Sequence, residues 1–221
     1  MRYTTVLFDL DGTLVNSAEG ITKSVAYALS RFGIQADERG LTCFIGPPLI
    51  DSFMRFYGFS KEQAGEAVDF YRARYRTKGV YENTVYPGIG EALAALKREG
   101  VCTAVATSKP EVFANVVVDD MGLRPFLDGV FGAELDDKQL RRSGFRSEKA
   151  DVIEYALDRL CVCDRSKVLM MGDRKHDIIG AKACGIASCG VLWGFGDREE
   201  LTAAGADYIA AAPADIEVTI G

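Results

Sequence analysis

Asp9 and Asp11, two carboxylates separated by one residue, are the groups in this chain whose type and spacing point most directly to chemistry. In extended backbone, side chains two residues apart face the same way, so both acids can address one spot. Two such charges about 4 Å apart repel by roughly 1 kcal/mol in water and about 4 kcal/mol at an effective dielectric of 20. A pair of this kind calls for a cation, a shared proton, or both. Gly12 lets the backbone turn, and Thr13 adds a hydroxyl one step on. The plainer alternative is a solvated acidic turn, and the flanking Leu10 and Leu14 argue against it.

Three later stretches offer complementary groups. Thr107 and Ser108 stand just before Pro110. Hydroxyls and free N–H groups at a helix amino terminus make an anion site, although Thr-Ser there also serves as a plain cap. Gly172-Asp173 is followed by Asp177. Oxygen ligands suit Mg²⁺, which keeps several waters and takes few protein carboxylates. Asp9, Asp11 through its backbone carbonyl, and Asp173 would make such an open site, with Asp177 a ligand through water or an acceptor behind the others. Otherwise Asp173 caps the next helix and Asp177 pairs with Arg174. Lys149 opens a helix whose positive end disfavours it. That placement makes sense if its ammonium leans toward a carboxylate and a bound phosphate; a solvated lysine is the other reading. His176 is the only histidine, so no second imidazole exists to build a zinc site.

The first acid pair and the Thr107 and Asp173 stretches each follow an apolar run. Val6-Leu7-Phe8 reads as a buried parallel strand, and so do the runs before Thr107 and Gly172. The pattern predicts helix 88–99, strand 101–107, helix 110–121, strand 129–133, helix 147–160, strand 167–171, helix 175–184, strand 187–192, helix 197–203 and strand 206–210. Such alternation implies an α/β fold, a Rossmann-like parallel sheet with helices on both faces and right-handed crossovers. Ligands bind at the carboxyl edge of sheets of this kind. Between the first strand and the rest, Ser17 is placed to cap a helix through Ile21, Val25 and Leu29 that Gly33 ends. A short helix over Phe53–Tyr57 and a longer one capped by Ser60 follow, with no strand expected from 16 to 82. The chain therefore divides into an α/β core, 1–15 and 83–221, and a small all-α cap, 16–82, expected over the strand ends. Residues 138–148 are strongly polar and read as loop.

An apolar fraction of 48% over 221 residues suffices for a packed core. A net charge of −6 argues against nucleic acid as the main partner. No apolar stretch is long enough for a secretory signal or a membrane span. The six cysteines form no C-x-x-C pair and read as buried thiols of a reducing, cytoplasmic setting. Nothing in the sequence sets an oligomeric state.

Asp9-Leu10-Asp11-Gly12-Thr13 resembles the D-x-D-x-T signature of the haloacid dehalogenase-like phosphatases. Thr107, Lys149 and Gly172-Asp173-x-x-x-Asp177 stand in the order and rough spacing of that family's other motifs, so the resemblance runs over the whole chain. Within the family the chain most resembles the phosphoglycolate phosphatase-like group. Phe44-Ile45-Gly46-Pro47-Pro48-Leu49 and Ile178-Ile179-Gly180-Ala181-Lys182 are similar to a branch often described as 5′-nucleotidases. The third motif reads Arg146-Ser147-Glu148-Lys149, without the Lys-Pro that often marks it, which leaves Lys138 and Lys167 as alternatives to Lys149.

The resemblance implies a Mg²⁺-dependent phosphomonoester hydrolase acting on small phosphorylated metabolites. Asp9 would attack phosphorus, forming an aspartyl-phosphate. Asp11 would protonate the leaving oxygen and then deprotonate water. Lys149 and Mg²⁺ would offset the phosphoryl charge, with Thr107 and the Leu10 and Ser108 N–H groups as further donors. Glu19, Lys23 and Gly46 of the cap are the candidate substrate-selecting residues. Two other readings stay open: a phosphomutase on the same scaffold, and a receiver-like signalling module that holds its phosphoryl group.

Overall fold

The computed structural model describes residues 2–135 and 146–221. In chain order the elements are β1 (Thr5–Phe8), β2 (Val15–Asn16), α1 (Ala18–Ser30), α2 (Leu49–Tyr57), α3 (Lys61–Tyr75), β3 (Thr84–Val85), α4 (Ile89–Arg98), β4 (Cys102–Pro110), α5 (Glu111–Asp120), β5 (Gly129–Ala133), α6 (Lys149–Arg159), β6 (Val168–Gly172), α7 (Lys175–Ala183), β7 (Ala187–Val191), α8 (Arg198–Ala204), β8 (Tyr208–Ala210) and α9 (Asp215–Ile220). They fall into two compact units, Met1–Val15 with Val85–Gly221, and Asn16–Thr84.

The first unit is the expected α/β fold. Its sheet has the order β5-β4-β1-β6-β7-β8, and every pairing is parallel. The first strand of the chain is therefore central. From β1 the chain builds outward through β4 and β5 on one side, then through β6, β7 and β8 on the other. The strand order reverses at β1, and a crevice opens at the carboxyl end of such a reversal. Phe8 lies level with Val105 of β4 and Met171 of β6, so the residues that follow these three run side by side. All four β1 residues are buried, as a strand covered on both faces requires. Helices α6 and α7 pack on each other and on the sheet, and Leu7, Ala106, Ile153, Leu157, Met170 and Ala181 share the core between them.

The second unit is helical. The apolar stripe of α1, Ile21, Val25, Ala28 and Leu29, is buried. Phe44 and Phe53 meet edge to face with centroids 4.9 Å apart. Arg74 holds both oxygens of Glu82, at 2.8 and 2.9 Å, and also donates to Ser24.

Several local expectations need correction. Ser17 stands at the start of α1, yet its side chain makes no capping bond; Asn16 Oδ1 accepts the Ala18 N–H instead, at 3.1 Å. Asn16 also belongs to β2, so the stretch from 16 is not strand-free. Strand β4 runs on to Pro110, past the expected end at 107, with a register shift between Thr107 and Pro110. Cys43, Cys161 and Cys163 are exposed, because they sit in the 3-10 helix Glu38–Phe44 and in the loop after α6; only Cys184 and Cys189 are buried. Most of the polar stretch 138–148 lies outside the described residues, Lys138 included. Among the described residues, no helix is long and apolar enough to cross a membrane.

Candidate active site

Asp9 follows the last residue of β1, and its N–H continues the ladder to the Met171 carbonyl at 2.8 Å. The next residues form a tight turn in which the Leu10 carbonyl accepts the N–H groups of Thr13, Leu14 and Val15. Gly12 has φ +83°, and a Cβ there would run into the Asp173 carboxylate, so only glycine fits both the turn and that approach. Leu10 N–H donates to Asp9 Oδ1 at 2.8 Å. The backbone donor expected for a phosphoryl oxygen therefore points at the first acid's own carboxylate.

Asp173 comes off the end of β6, the strand beside β1, and is fully buried. Its Oδ2 accepts the Phe195 N–H at 2.8 Å, and Thr13 Oγ1 lies 3.5 Å from Oδ1. Asp177 sits in the first turn of α7 and closes a capping box with Arg174, its Oδ2 accepting the Arg174 N–H at 3.0 Å. One carboxylate oxygen each from Asp9, Asp173 and Asp177 lie within 4.8 Å of one another. Asp11 does not join this trio through its side chain, which Lys109 holds instead at 2.6 Å.

Lys149 answers the trio. It opens α6 and is buried, with Nζ 3.0 Å from Asp9 Oδ1, 2.7 Å from Asp177 Oδ1 and 3.0 Å from the Ala106 carbonyl that accepts from it. Its stem runs past Gly180 of α7, where a Cβ would stand 2.7 Å from Lys149 Cγ. Of the alternative lysines, Lys167 is exposed just before β6, at the amino end of that strand. Thr107, buried at the β4 end, accepts the Lys109 N–H at 3.2 Å through Oγ1, so it braces the irregular strand end rather than capping α5. Ser108 follows it, half-buried. His176 lies in the first turn of α7, and burial, then Lys175 and Arg174, push its pKa down.

The electrostatics are those of crowded acids. Burial, then the charges of Asp177 and Asp9, push the Asp173 carboxyl up to about 8. Burial and Asp9 also raise Asp177, to about 6, against the pull of Lys149. Burial alone would discharge Lys149, but the carboxylates of Asp177 and Asp9 more than offset it and hold its pKa above the ordinary value. The Tyr86 phenol is pushed up to about 12 by burial and then by the charges of Asp173 and Asp11. Three buried carboxylates with one ammonium between them leave excess negative charge, and an all-oxygen donor set of this kind fits a hard divalent cation.

Glu19, Lys23 and Gly46 belong to the helical unit. Lys23 pairs there with Glu19 at 2.5 Å and stands 3.6 Å from Glu82. Gly46 is exposed at φ +99°.

Sequence reasoning missed the segment that holds Asp173 from behind. After β7, Phe195 supplies its N–H to Asp173, and the neighbouring Trp193 reaches the turn after β1. A Cβ on Gly194 or Gly196 would collide with Asp173 backbone or side-chain atoms. The signal available was Gly194-Phe195-Gly196 directly after a strand. Lys109 was also missed, although it stands beside the Thr107-Ser108 pair.

The family model described as haloacid dehalogenase-like hydrolase matches residues 6–191. A Pseudomonas aeruginosa protein named 5′-nucleotidase is 45% identical over 92% of this chain and 89% of its own length. A Mycobacterium tuberculosis protein named tyrosine-protein kinase PtkA is 40% identical over 86% of this chain, which spans 62% of that protein. The crystal structure of a predicted phosphatase from Clostridium acetobutylicum superposes with a TM-score of 0.90 at 45% identity, covering 100% of this chain and 99% of that one.

Proposed function

Because the chain belongs to the haloacid dehalogenase-like hydrolase family, we propose that it is a Mg²⁺-dependent phosphomonoesterase working through an aspartyl-phosphate. The observation that carries this reading is Asp9 itself: a carboxylate at a strand-order reversal, 3.0 Å from a buried ammonium and beside two further buried acids. Asp9, Asp173 and Asp177 would hold the cation, together with the Asp11 backbone carbonyl. When bound, Mg²⁺ supplies positive charge against the phosphoryl oxygens.

The residues divide the work. An Asp9 carboxylate oxygen attacks phosphorus, and the bond from phosphorus to the ester oxygen breaks. Asp11 gives its proton to that leaving oxygen. In the second half, water attacks the same phosphorus, its proton passes to Asp11, and the Asp9 carboxylate is restored. The balance is ester plus water to alcohol plus phosphate. Lys149 binds an equatorial phosphoryl oxygen, holds the approach in line and remains protonated throughout. Thr107 and the Ser108 N–H are further donors to the phosphoryl group.

Small phosphorylated metabolites are the proposed substrates, with nucleoside 5′-monophosphates first in view of the Pseudomonas relative's name. Glu19, Lys23 and Gly46 are proposed to select among them, with the helical unit serving as the cap. Six free cysteines support a cytoplasmic setting. The test is phosphate release from a panel of nucleoside monophosphates, phosphoglycolate and sugar phosphates, with Mg²⁺ and with EDTA. A second reading, phosphoryl transfer to an acceptor other than water, draws on the mycobacterial relative's name. Release of inorganic phosphate with no acceptor present decides for hydrolysis.

A further inference from the structure

The sequence gives Lys109 no role, yet it makes the closest polar contact to the second acid. Its Nζ lies 2.6 Å from Asp11 Oδ1 and 2.6 Å from Oδ2, with the two side chains only 6% and 15% exposed. Lys109 stands two residues beyond Thr107, where β4 loses its regular register, and its own N–H is fixed by Thr107 Oγ1 at 3.2 Å. Asp11 stands two residues beyond Asp9, on the loop that leaves the neighbouring strand. The side chain of Lys109 thus spans from one strand end to the next. The two acids are divided between two lysines, Asp9 with Lys149 and Asp11 with Lys109.

An exposed ion pair contributes little to stability and burying one adds a desolvation cost, so stability alone is a poor reason for it. Orientation is a better one. A carboxyl on a short stem rotates about two bonds, and an ammonium on both oxygens removes that freedom. We propose that Lys109 is a positioning residue for Asp11, fixing its carboxyl so that one oxygen faces the leaving oxygen of an ester bound at Asp9. This inference rests on the phosphomonoesterase reading. In the first half-reaction Lys109 keeps one Asp11 oxygen, and the proton on the other passes to the leaving oxygen as its bond to phosphorus breaks. Lys109 donates none of its own protons.

The test compares kcat/KM, which reports steps only up to leaving-group departure, for two esters with Mg²⁺. One is p-nitrophenyl phosphate, whose leaving group departs without a proton. The other is the alkyl phosphate that the unaltered protein hydrolyses best. Lys109→Ala is expected to lose about 100-fold on the alkyl ester and less than about 5-fold on the aryl one, since general acid catalysis contributes on that scale. Asp11→Asn should show the same selectivity, and the double variant should lose little more than Asp11→Asn alone. Lys109→Arg should keep most of the alkyl activity, because a guanidinium also holds both carboxylate oxygens. Equal losses on both esters, or additive losses in the double variant, would overturn the proposal. If Lys109→Ala loses its far-UV circular dichroism, Lys109→Gln is judged by the same comparison. Unaltered protein that cleaves neither ester overturns the phosphomonoesterase reading and this inference together; an active protein with equal losses overturns this inference alone.

Discussion

The indole Nε1 of Trp193 donates to the backbone carbonyl of Thr13 at 2.9 Å, joining the loop after β7 to the turn that follows Asp9. Trp193 is the only tryptophan in the chain, so its emission is a built-in reporter on that turn. Trp193→Phe removes one partly buried hydrogen bond and should cost about 1 kcal/mol of stability. Thermal unfolding measures this, and titrating Mg²⁺ into EDTA-treated protein should change the unaltered chain's emission. An emission spectrum indifferent to Mg²⁺ would count against a cation bound beside Thr13.

Asp9→Asn keeps the shape and removes the proposed nucleophile. Turnover should fall by at least about 10⁴-fold, with unchanged circular dichroism. The same substitution takes one charge out of a crowded trio, so without Mg²⁺ the variant should melt no lower than the parent. Retained turnover would reject the assignment of Asp9.

Lys149→Met deletes the ammonium that Asp9 and Asp177 share. Breaking a buried pair costs about 3 kcal/mol, which differential scanning calorimetry should read as a lower Tm. Turnover should drop about 100-fold or more. Adding Mg²⁺ should recover part of the stability and little of the rate, since a cation offsets charge without replacing the hold on the substrate proposed for the lysine.

The raised acid pKa values set a pH dependence for the metal-free protein. Asp173 moves from an ordinary 3.8 to about 8 on folding, so across that interval the folded chain binds a proton that the unfolded chain has released. Its contribution is complete below the unfolded value and is lost as pH rises through about 8. In EDTA, stability to urea should therefore decline from pH 5 to pH 8. Mg²⁺ displaces that proton, so it should bind more tightly as pH rises and should flatten the decline. Urea titrations at several pH values, with and without Mg²⁺, test both signs.

Cys184 and Cys189 are buried with thiols pushed up to about 12, whereas Cys43, Cys161 and Cys163 are exposed. Ellman's reagent at pH 8 should react rapidly with those three thiols and with all six in denaturant. Mass spectrometry of the labelled peptides identifies which.

The alternation of strands and helices was legible because each element carries its own apolar run and its own stop, as with Gly58 ending α2 and the Ser60–Gln63 capping box opening α3. Strands of two residues such as β2 and β3 carry no such pattern, and neither does the six-residue α9 after Pro213. The convergence of Asp9 and Asp173 followed from one rule, that parallel strands deliver their following residues to one edge. Lys109 escaped because its partner lies 98 residues away and beside a hydroxyl pair it reads as ordinary loop. The brace on Asp173 escaped for a related reason: its donor is a backbone N–H, which every residue type except proline supplies. Ser17 misled because Asn16, one residue earlier, competes for the same role with a longer side chain.

A central first strand has a consequence for synthesis. The ribosome emits β1 long before the residues that complete its surroundings; 160 positions separate Thr13 from Asp173. At roughly 5–20 residues per second, Thr13 waits about 8–32 s for Asp173. A nascent chain halted before β6 would be inert however well its helices had formed. Regain of turnover during renaturation should accordingly trail regain of helicity.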